Sequence, residues 1–183
     1  MIHTYKKNSS QGQKLPISHV IELLTDDDTR IRTVAAEALG VIKDNRAADA
    51  LIIVLEDKES DVRGVAAETL GKIRDKRAVK PLVLLLKDDD PWVRGRAAWA
   101  LGKISSRYPV VSLIKCLQDE DGDVRVEAAL ALGQIGDPYA IDTLLQLLKD
   151  QDPKVRWGAA EALARIEGET CRYSEKNSQT KKT

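Results

Sequence analysis

The side chains in this sequence that could do chemistry are three acidic runs: Asp26-Asp27-Asp28, Asp88-Asp89-Asp90 and Asp119-Glu120-Asp121. Carboxylates grouped in this way can share a proton as an acid/base pair or hold calcium. A calcium loop read from Asp119 would need glycine at position 124 and a bidentate acid at 130, where the chain has Val124 and Leu130. Histidine is limited to His3 and His19, so no catalytic histidine cluster can be assembled. Cys116 and Cys171 have neither a disulfide-framework nor a zinc spacing, and Cys116 stands in a leucine-like position, where it reads as a small buried hydrophobe. There is no glycine-rich phosphate loop and no nucleophile elbow. Asn8-Ser9-Ser10 matches a glycosylation acceptor, a coincidence in a chain without a secretory signal. No metal, no cofactor and no catalytic residue are therefore expected.

The acidic runs recur with a period, which points to a structural duty. The pair Ile/Val-Arg appears as Ile31-Arg32, Val62-Arg63, Val93-Arg94, Val124-Arg125 and Val155-Arg156, each step 31 residues without an insertion. Paired alanines follow in register at Ala35-Ala36, Ala66-Ala67, Ala97-Ala98, Ala128-Ala129 and Ala159-Ala160. Then come Leu39, Leu70, Leu101, Leu132 and Leu163, and a closing set of Ile42, Ile73, Ile104, Ile135 and Ile166. These positions share one face of an α-helix and could not share one face of a strand. Each such Val-Arg helix follows an acidic residue suited to a helix N-terminus (Asp28, Glu59, Asp90, Asp121, Asp152). It is expected to end near Gly40, Gly71, Gly102 and Gly133, with Ala164 in the last copy, and glycine there also lets neighbouring backbones approach closely.

A second, leucine-bearing helix fills the other half of each unit, with Leu51/Val54/Leu55, Leu82/Leu85/Leu86, Leu113/Cys116/Leu117 and Leu144/Leu147/Leu148 on one face. Asp44, Asp75, Ser106 and Asp137 can cap it, and Pro81 implies that one copy becomes regular only near that residue. An earlier copy runs from Pro16 to Leu24. The apolar side of each hairpin is too broad for its own partner, so five hairpins must stack as a solenoid. Residues 1–15 and 168–183 lack the pattern and read as flexible polar tails flanking a solenoid at 16–167.

Asp26, Asp57, Asp88, Asp119 and Asp150 each stand six residues before the repeated Arg32, Arg63, Arg94, Arg125 and Arg156. Hydrogen-bonded Asp/Arg pairs running along the stack would account for both sets together.

With 43% hydrophobic and 32% charged residues the chain is neither disordered nor membrane-spanning, and no apolar run near Met1 resembles a signal peptide. A cytoplasmic location is the expectation. Lys+Arg and Asp+Glu both number 29, so the gross basic footprint of a nucleic-acid binder is missing.

The string Asp-x-x-Val-Arg-x-x-Ala-Ala-x-Ala-Leu-Gly-x-Ile, nearly complete from Asp90 to Ile104 and from Asp121 to Ile135, resembles the HEAT-like repeat of the phycobilin-lyase type. The resemblance covers residues 16–167. It implies an all-α fold, a right-handed α-α superhelix whose inner, concave face is lined by the Val-Arg helices. It also implies a choice of roles, because the group includes scaffolds, bilin lyase subunits and appended domains of metabolic enzymes. Deoxyhypusine hydroxylase, another HEAT-repeat protein, holds two irons through His-Glu pairs, and this chain contains no His-Glu step.

Positions that vary between units mark the face turned away from the stack, and all three tryptophans fall there. Trp92 and Trp99 share one side of the third Val-Arg helix with Arg96 and Lys103; Val126 and Leu130 occupy the next helix and Trp157 the last. The expected result is an apolar strip across three helices, edged by Arg96, Lys103, Lys154 and Arg165 on one hand and Glu127 and Glu161 on the other. Such a strip suits a protein or peptide partner and would equally close a homodimer. The rival readings are a bilin lyase-like subunit, with a tetrapyrrole against the tryptophans, and a DNA-binding solenoid. Glu37, Glu68, Glu127 and Glu161 on that face would oppose phosphate.

Overall fold

A helix start leaves amide groups without intrahelical partners, and here acidic side chains supply them. The structure, a computed structural model, describes residues 17–180, with side chains described as far as Gly168. The five Val-Arg helices are α2 (Thr29–Ile42), α4 (Ser60–Ile73), α6 (Pro91–Ile104), α8 (Gly122–Ile135) and α10 (Pro153–Thr180). The Asp28, Asp90, Asp121 and Asp152 carboxylates accept from Arg30 N, Trp92 N, Asp123 N and Lys154 N. Glu59, one methylene longer, stands at the same place in α4 without making a capping bond.

The helix ends differ from expectation. Gly40, Gly71, Gly102 and Gly133 lie inside their helices, and the left-handed cap falls later, at Lys43, Arg74, Ser105 and Gly136 (φ 55°, 62°, 54° and 72°). The close approach expected of these glycines is present: a Cβ at Gly102 would stand 2.8 Å from Ala131 Cα, and one at Gly133 2.6 Å from Ala162 Cα. The next Val-Arg helix passes too near for any side chain there.

The leucine helices are short: α1 (Ile17–Glu22), α3 (Ala48–Val54), α5 (Val79–Leu85), α7 (Val110–Cys116) and α9 (Ile141–Leu147). A 3-10 turn leads into α3, α5 and α9, capped by Asp44, Asp75 and Asp137 accepting from Arg46 N, Arg77 N and Tyr139 N. Before α7, Ser106 Oγ accepts from Tyr108 N. Helix α5 starts two residues ahead of Pro81, which therefore sits in the first turn, where a missing N–H costs no intrahelical bond.

Each leucine helix packs on the Val-Arg helix that follows it, and the Val-Arg helices pack one against the next in the order α2, α4, α6, α8, α10. The resulting architecture is an all-α superhelix of five hairpins, with no strand among the described residues. Its core is the repeated set: Leu39, Leu70, Leu101 and Leu132, with Val62, Val93 and Val155, are fully buried. Burying each leucine stabilises the fold by roughly 1.5–3 kcal/mol.

The ends depart from the regular pattern. In α2, Ile31 and Ile42 are 39% and 48% exposed where their counterparts are buried, because no described hairpin covers that side. Together with Val20, Leu23 and Val34, Ile31 lines an open apolar hollow of about 520 Å³. At the other end, the backbone from 168 to Thr180 continues α10, where a flexible tail was expected. Ala164 stands where the earlier units have glycine, and the segment that follows holds no proline to interrupt the helix. The expected N-terminal tail, residues 1–15, lies outside the described residues.

Candidate functional site

Between successive units the repeated arginine binds in two directions. Arg94 donates from Nε and Nη2 to the two carboxylate oxygens of Asp119, 25 residues ahead, at 2.8 Å each. From Nη1 it donates to the main-chain oxygens of Asp88 and Asp89 behind it. Arg32 makes the same set with Asp57 and with the Asp26 and Asp27 oxygens. Arg63 does so with Asp88, and Arg125 with Asp150. Each of these carboxylates also accepts from the amide two residues on: Glu59 N, Asp90 N, Asp121 N and Asp152 N. A planar fork on a carboxylate fixes both spacing and rotation, so the ladder sets the register of one hairpin on the next.

Among the described residues the ladder is open at both ends. Asp26 accepts only from Asp28 N through its side chain, and Arg156 donates only to the Asp150 and Gln151 oxygens among the described residues. Burial pushes Asp57, Asp88 and Asp119 upward, but the arginine and amide hydrogen bonds outweigh it and hold them below the ordinary aspartate value. Asp150 is held low chiefly by Arg125.

The tryptophans divide between packing and surface. Trp99 is half-buried against the core; its ring lies beside the Gly71 backbone of α4, and Lys103 Nζ stands 5.2 Å from its centroid. Trp92 is 42% exposed, and its ring lies over Gly64, also on α4, so closely that a methyl group there would overlap it. Trp157 is 60% exposed on α10. Between them on α8, Val126 packs half-buried on the core with its Cγ1 beside Gly158, and Leu130 is half-buried.

Charge crosses this strip rather than only edging it. Arg96 reaches Glu127 on α8 at 3.0 Å and Glu68 on α4 at 3.7 Å, while Glu68 also holds Lys72 at 2.7 Å. Burial raises the pKa of Glu127, with Arg96 acting against it. Glu161 and Arg165 pair at 2.9 Å on α10, and Lys154 approaches Asp123 at 3.5 Å. Cys116, buried below, is pushed up to about 11 by burial, so its thiol is no nucleophile near neutral pH.

A pocket that the spacing of variable residues did not reveal opens between α6 and α8. It measures about 290 Å³ and is lined by Trp92, Gly95, Arg96, Asp121, Asp123 and Glu127, with Val124 and Val126 in its wall. The signal was present in two units taken together. Gly64 and Gly95 are equivalent, and so are Trp92 and Asp123, each 28 residues beyond its glycine. Over Gly64 the gap is filled by an indole; over Gly95 a small acid stands in the same place, and the space stays open.

The family model for HEAT repeats matches residues 11–68, 48–113 and 110–173. Among solved structures, the chain is similar to the complex of CpcE and CpcF of phycocyanin lyase from Nostoc sp. PCC7120. The two are 28% identical with a TM-score of 0.76, over 88% of this chain and 68% of that one. An engineered protein is 29% identical with a TM-score of 0.65, over 84% and 81%. A designed armadillo repeat protein in complex with the peptide (KR)4, 22% identical with a TM-score of 0.64 over 82% and 81%, shares the fold. A search of the curated proteins finds no match.

Proposed function

This chain belongs to the HEAT-repeat family, and we propose that it is a scaffold that holds a peptide or protein partner on the face formed by α6, α8 and α10. The observation that carries this reading is the pair of large exposed indoles, Trp92 and Trp157, the first of them lining a pocket, in a surface otherwise poor in aromatics. Tryptophan and arginine dominate interface energies when they sit centrally, each costing about 2 kcal/mol or more on truncation. The inner position of this face is supported by the packing. Val-Arg helices pack on one another through the whole stack, whereas leucine helices mainly touch their own hairpin and a neighbouring turn, which favours the Val-Arg layer as the inner one. The resemblance to a complex of two protein chains is in keeping with a protein partner.

The test is affinity capture from the native cell with wild type and a Trp92→Ala/Trp157→Ala variant, followed by affinity measurement with the purified partner. Trp99 is left intact because its ring is part of the α4–α6 packing. The reading expects at least a ~30-fold loss of affinity, from about 2 kcal/mol at one central indole. Unchanged affinity in a variant that melts like wild type would refute it.

The phycocyanin lyase likeness favours a second reading, a lyase-type subunit with a bilin against the exposed indoles. Coloured adducts on co-expression with a bilin-binding protein would support it, and their absence would reject it. DNA binding is disfavoured, because Glu68, Asp123, Glu127 and Glu161 stand among the cations and would repel phosphate.

A further inference from the structure

The pocket between α6 and α8 exists because the indole that closes the neighbouring gap is not repeated in the next unit. Trp92 seals the space above Gly64, while above Gly95 the equivalent residue is Asp123, and a Cβ built on Gly95 meets only Glu127 Cγ, at 3.9 Å. At about 290 Å³ the hollow lies at the bottom of the roughly 300–1,000 Å³ range of small-molecule sites, a size suited to one long side chain.

Its charge is one-sided. Three carboxylates line it, Asp121, Asp123 and Glu127, against the single cation Arg96, which is already engaged by Glu127 and Glu68. Asp121 uses Oδ1 to cap α8 through Asp123 N and Val124 N, and its Oδ2 accepts no hydrogen bond among the described residues. Trp92 also lines the pocket, and an indole attracts a cation. A cation of the protein itself, Lys154 from α10, already leans to Asp123 across the rim, with both side chains mostly exposed and so easily displaced.

Resting on the scaffold reading above, we infer that this pocket receives a lysine or arginine side chain of the bound partner, its charged head against Asp121 and Asp123 and its stem along Trp92. The partner is thus a segment carrying at least one basic residue, laid across α6 and α8. An acidic segment would meet three carboxylates and is excluded by the same charges.

The probe is a fluorescein-labelled octapeptide of alternating arginine and serine, titrated by anisotropy at 150 mM salt, beside peptides in which citrulline or glutamate replaces arginine. Citrulline keeps the shape and removes the charge. The arginine peptide should bind at least about tenfold more tightly than the citrulline one, as charge-assisted hydrogen bonds require. Gly95→Leu fills the pocket without altering net charge and replaces glycine by a strong helix former. It should weaken the arginine peptide at least about tenfold while leaving the melting temperature no lower. Asp123→Asn, at an exposed position, should weaken it about threefold and guards against a folding effect in the first variant. Equal binding of the citrulline or glutamate peptide, or undiminished binding by both variants, overturns the inference. With the native partner, retention by Gly95→Leu and loss by Trp92→Ala/Trp157→Ala would overturn the cation pocket alone. Retention by both variants would remove the scaffold reading itself.

Discussion

Replacing Arg94 with alanine should be among the most damaging single changes outside the apolar core. The guanidinium is 9% exposed and makes four hydrogen bonds: two to the Asp119 carboxylate, itself 11% exposed, and two to the main-chain oxygens of Asp88 and Asp89. Truncation strands a mostly buried carboxylate. Breaking a buried pair by removing one partner costs roughly 3–5 kcal/mol. Asp119 keeps the hydrogen bond from Asp121 N and gains access to water through the vacated space, so the lower end, about 3 kcal/mol, applies. For a chain of this size 1 kcal/mol moves the melting temperature by roughly 2–4 °C, which gives a drop of about 6–12 °C by calorimetry or circular dichroism. Arg156→Ala is the internal control. Among the described residues this exposed arginine, at the end of the ladder, donates only to two main-chain oxygens, and its loss should stay within about 1 kcal/mol of wild type. If Arg94→Ala melts within a degree or two of wild type, or no lower than Arg156→Ala, the ladder does not hold the repeats in register.

The same ladder dictates a pH dependence. Asp57, Asp88, Asp119 and Asp150 have folded-state pKa values below those of the unfolded chain. Their contribution is therefore complete above the unfolded aspartate value of about 3.9 and is lost as pH falls through the folded values. Melting temperature should stay level from neutral pH to about 5 and then fall steeply below about 4; a gradual decline starting near pH 7 would contradict this. Two glycine-to-alanine changes should have opposite signs in urea unfolding. Gly102→Ala pushes a methyl group into the Ala131 backbone and should destabilise by about 1–3 kcal/mol, whereas Gly95→Ala points into open space and should stabilise by up to about 1 kcal/mol. Equal effects would mean that helix spacing is not what those glycines set.

What could be seen in the sequence was whatever repeats. The 31-residue step of Val-Arg, paired alanines and leucines reported ten helices and their buried faces, because each unit places the same residues against the same neighbours. Contacts between units were harder to see. The arginines could be matched with the aspartates six residues earlier, yet only the main chain of those residues is used, and the carboxylate comes from the aspartate 25 residues ahead. That choice depends on the length of the arginine stem and on the helix spacing, which no single repeat encodes. The glycines mark close approach, as their type suggests, but not the helix ends: Gly71, Gly102 and Gly133 face an alanine on the next helix and Gly40 faces Thr69, partners that lie in another unit.

The candidate site was legible in its residue types more than in its shape. Trp92 and Trp99 do stand on one side of α6, but both indoles lean back over glycines of α4, so the half-buried Trp99 belongs to the packing as much as to the surface. Where an indole leans depends on what the adjacent helix leaves empty, and Gly64 and Gly71 leave room for these two. The pocket over Gly95 required comparing glycine and tryptophan across two units at once. The continuation of α10 to Thr180 carries no apolar periodicity to announce it.

The face that holds the partner can be tested directly by hydroxyl-radical footprinting of the purified protein with and without its captured partner. Trp92 and Trp157 on the Val-Arg face, and Tyr108 and Tyr139 beside the leucine helices, are all exposed and all oxidisable, which makes the tyrosines internal references. The account predicts that oxidation of both indoles falls sharply in the complex while the tyrosines react as before. Unprotected indoles together with protected tyrosines would put the partner on the opposite side of the stack and contradict it.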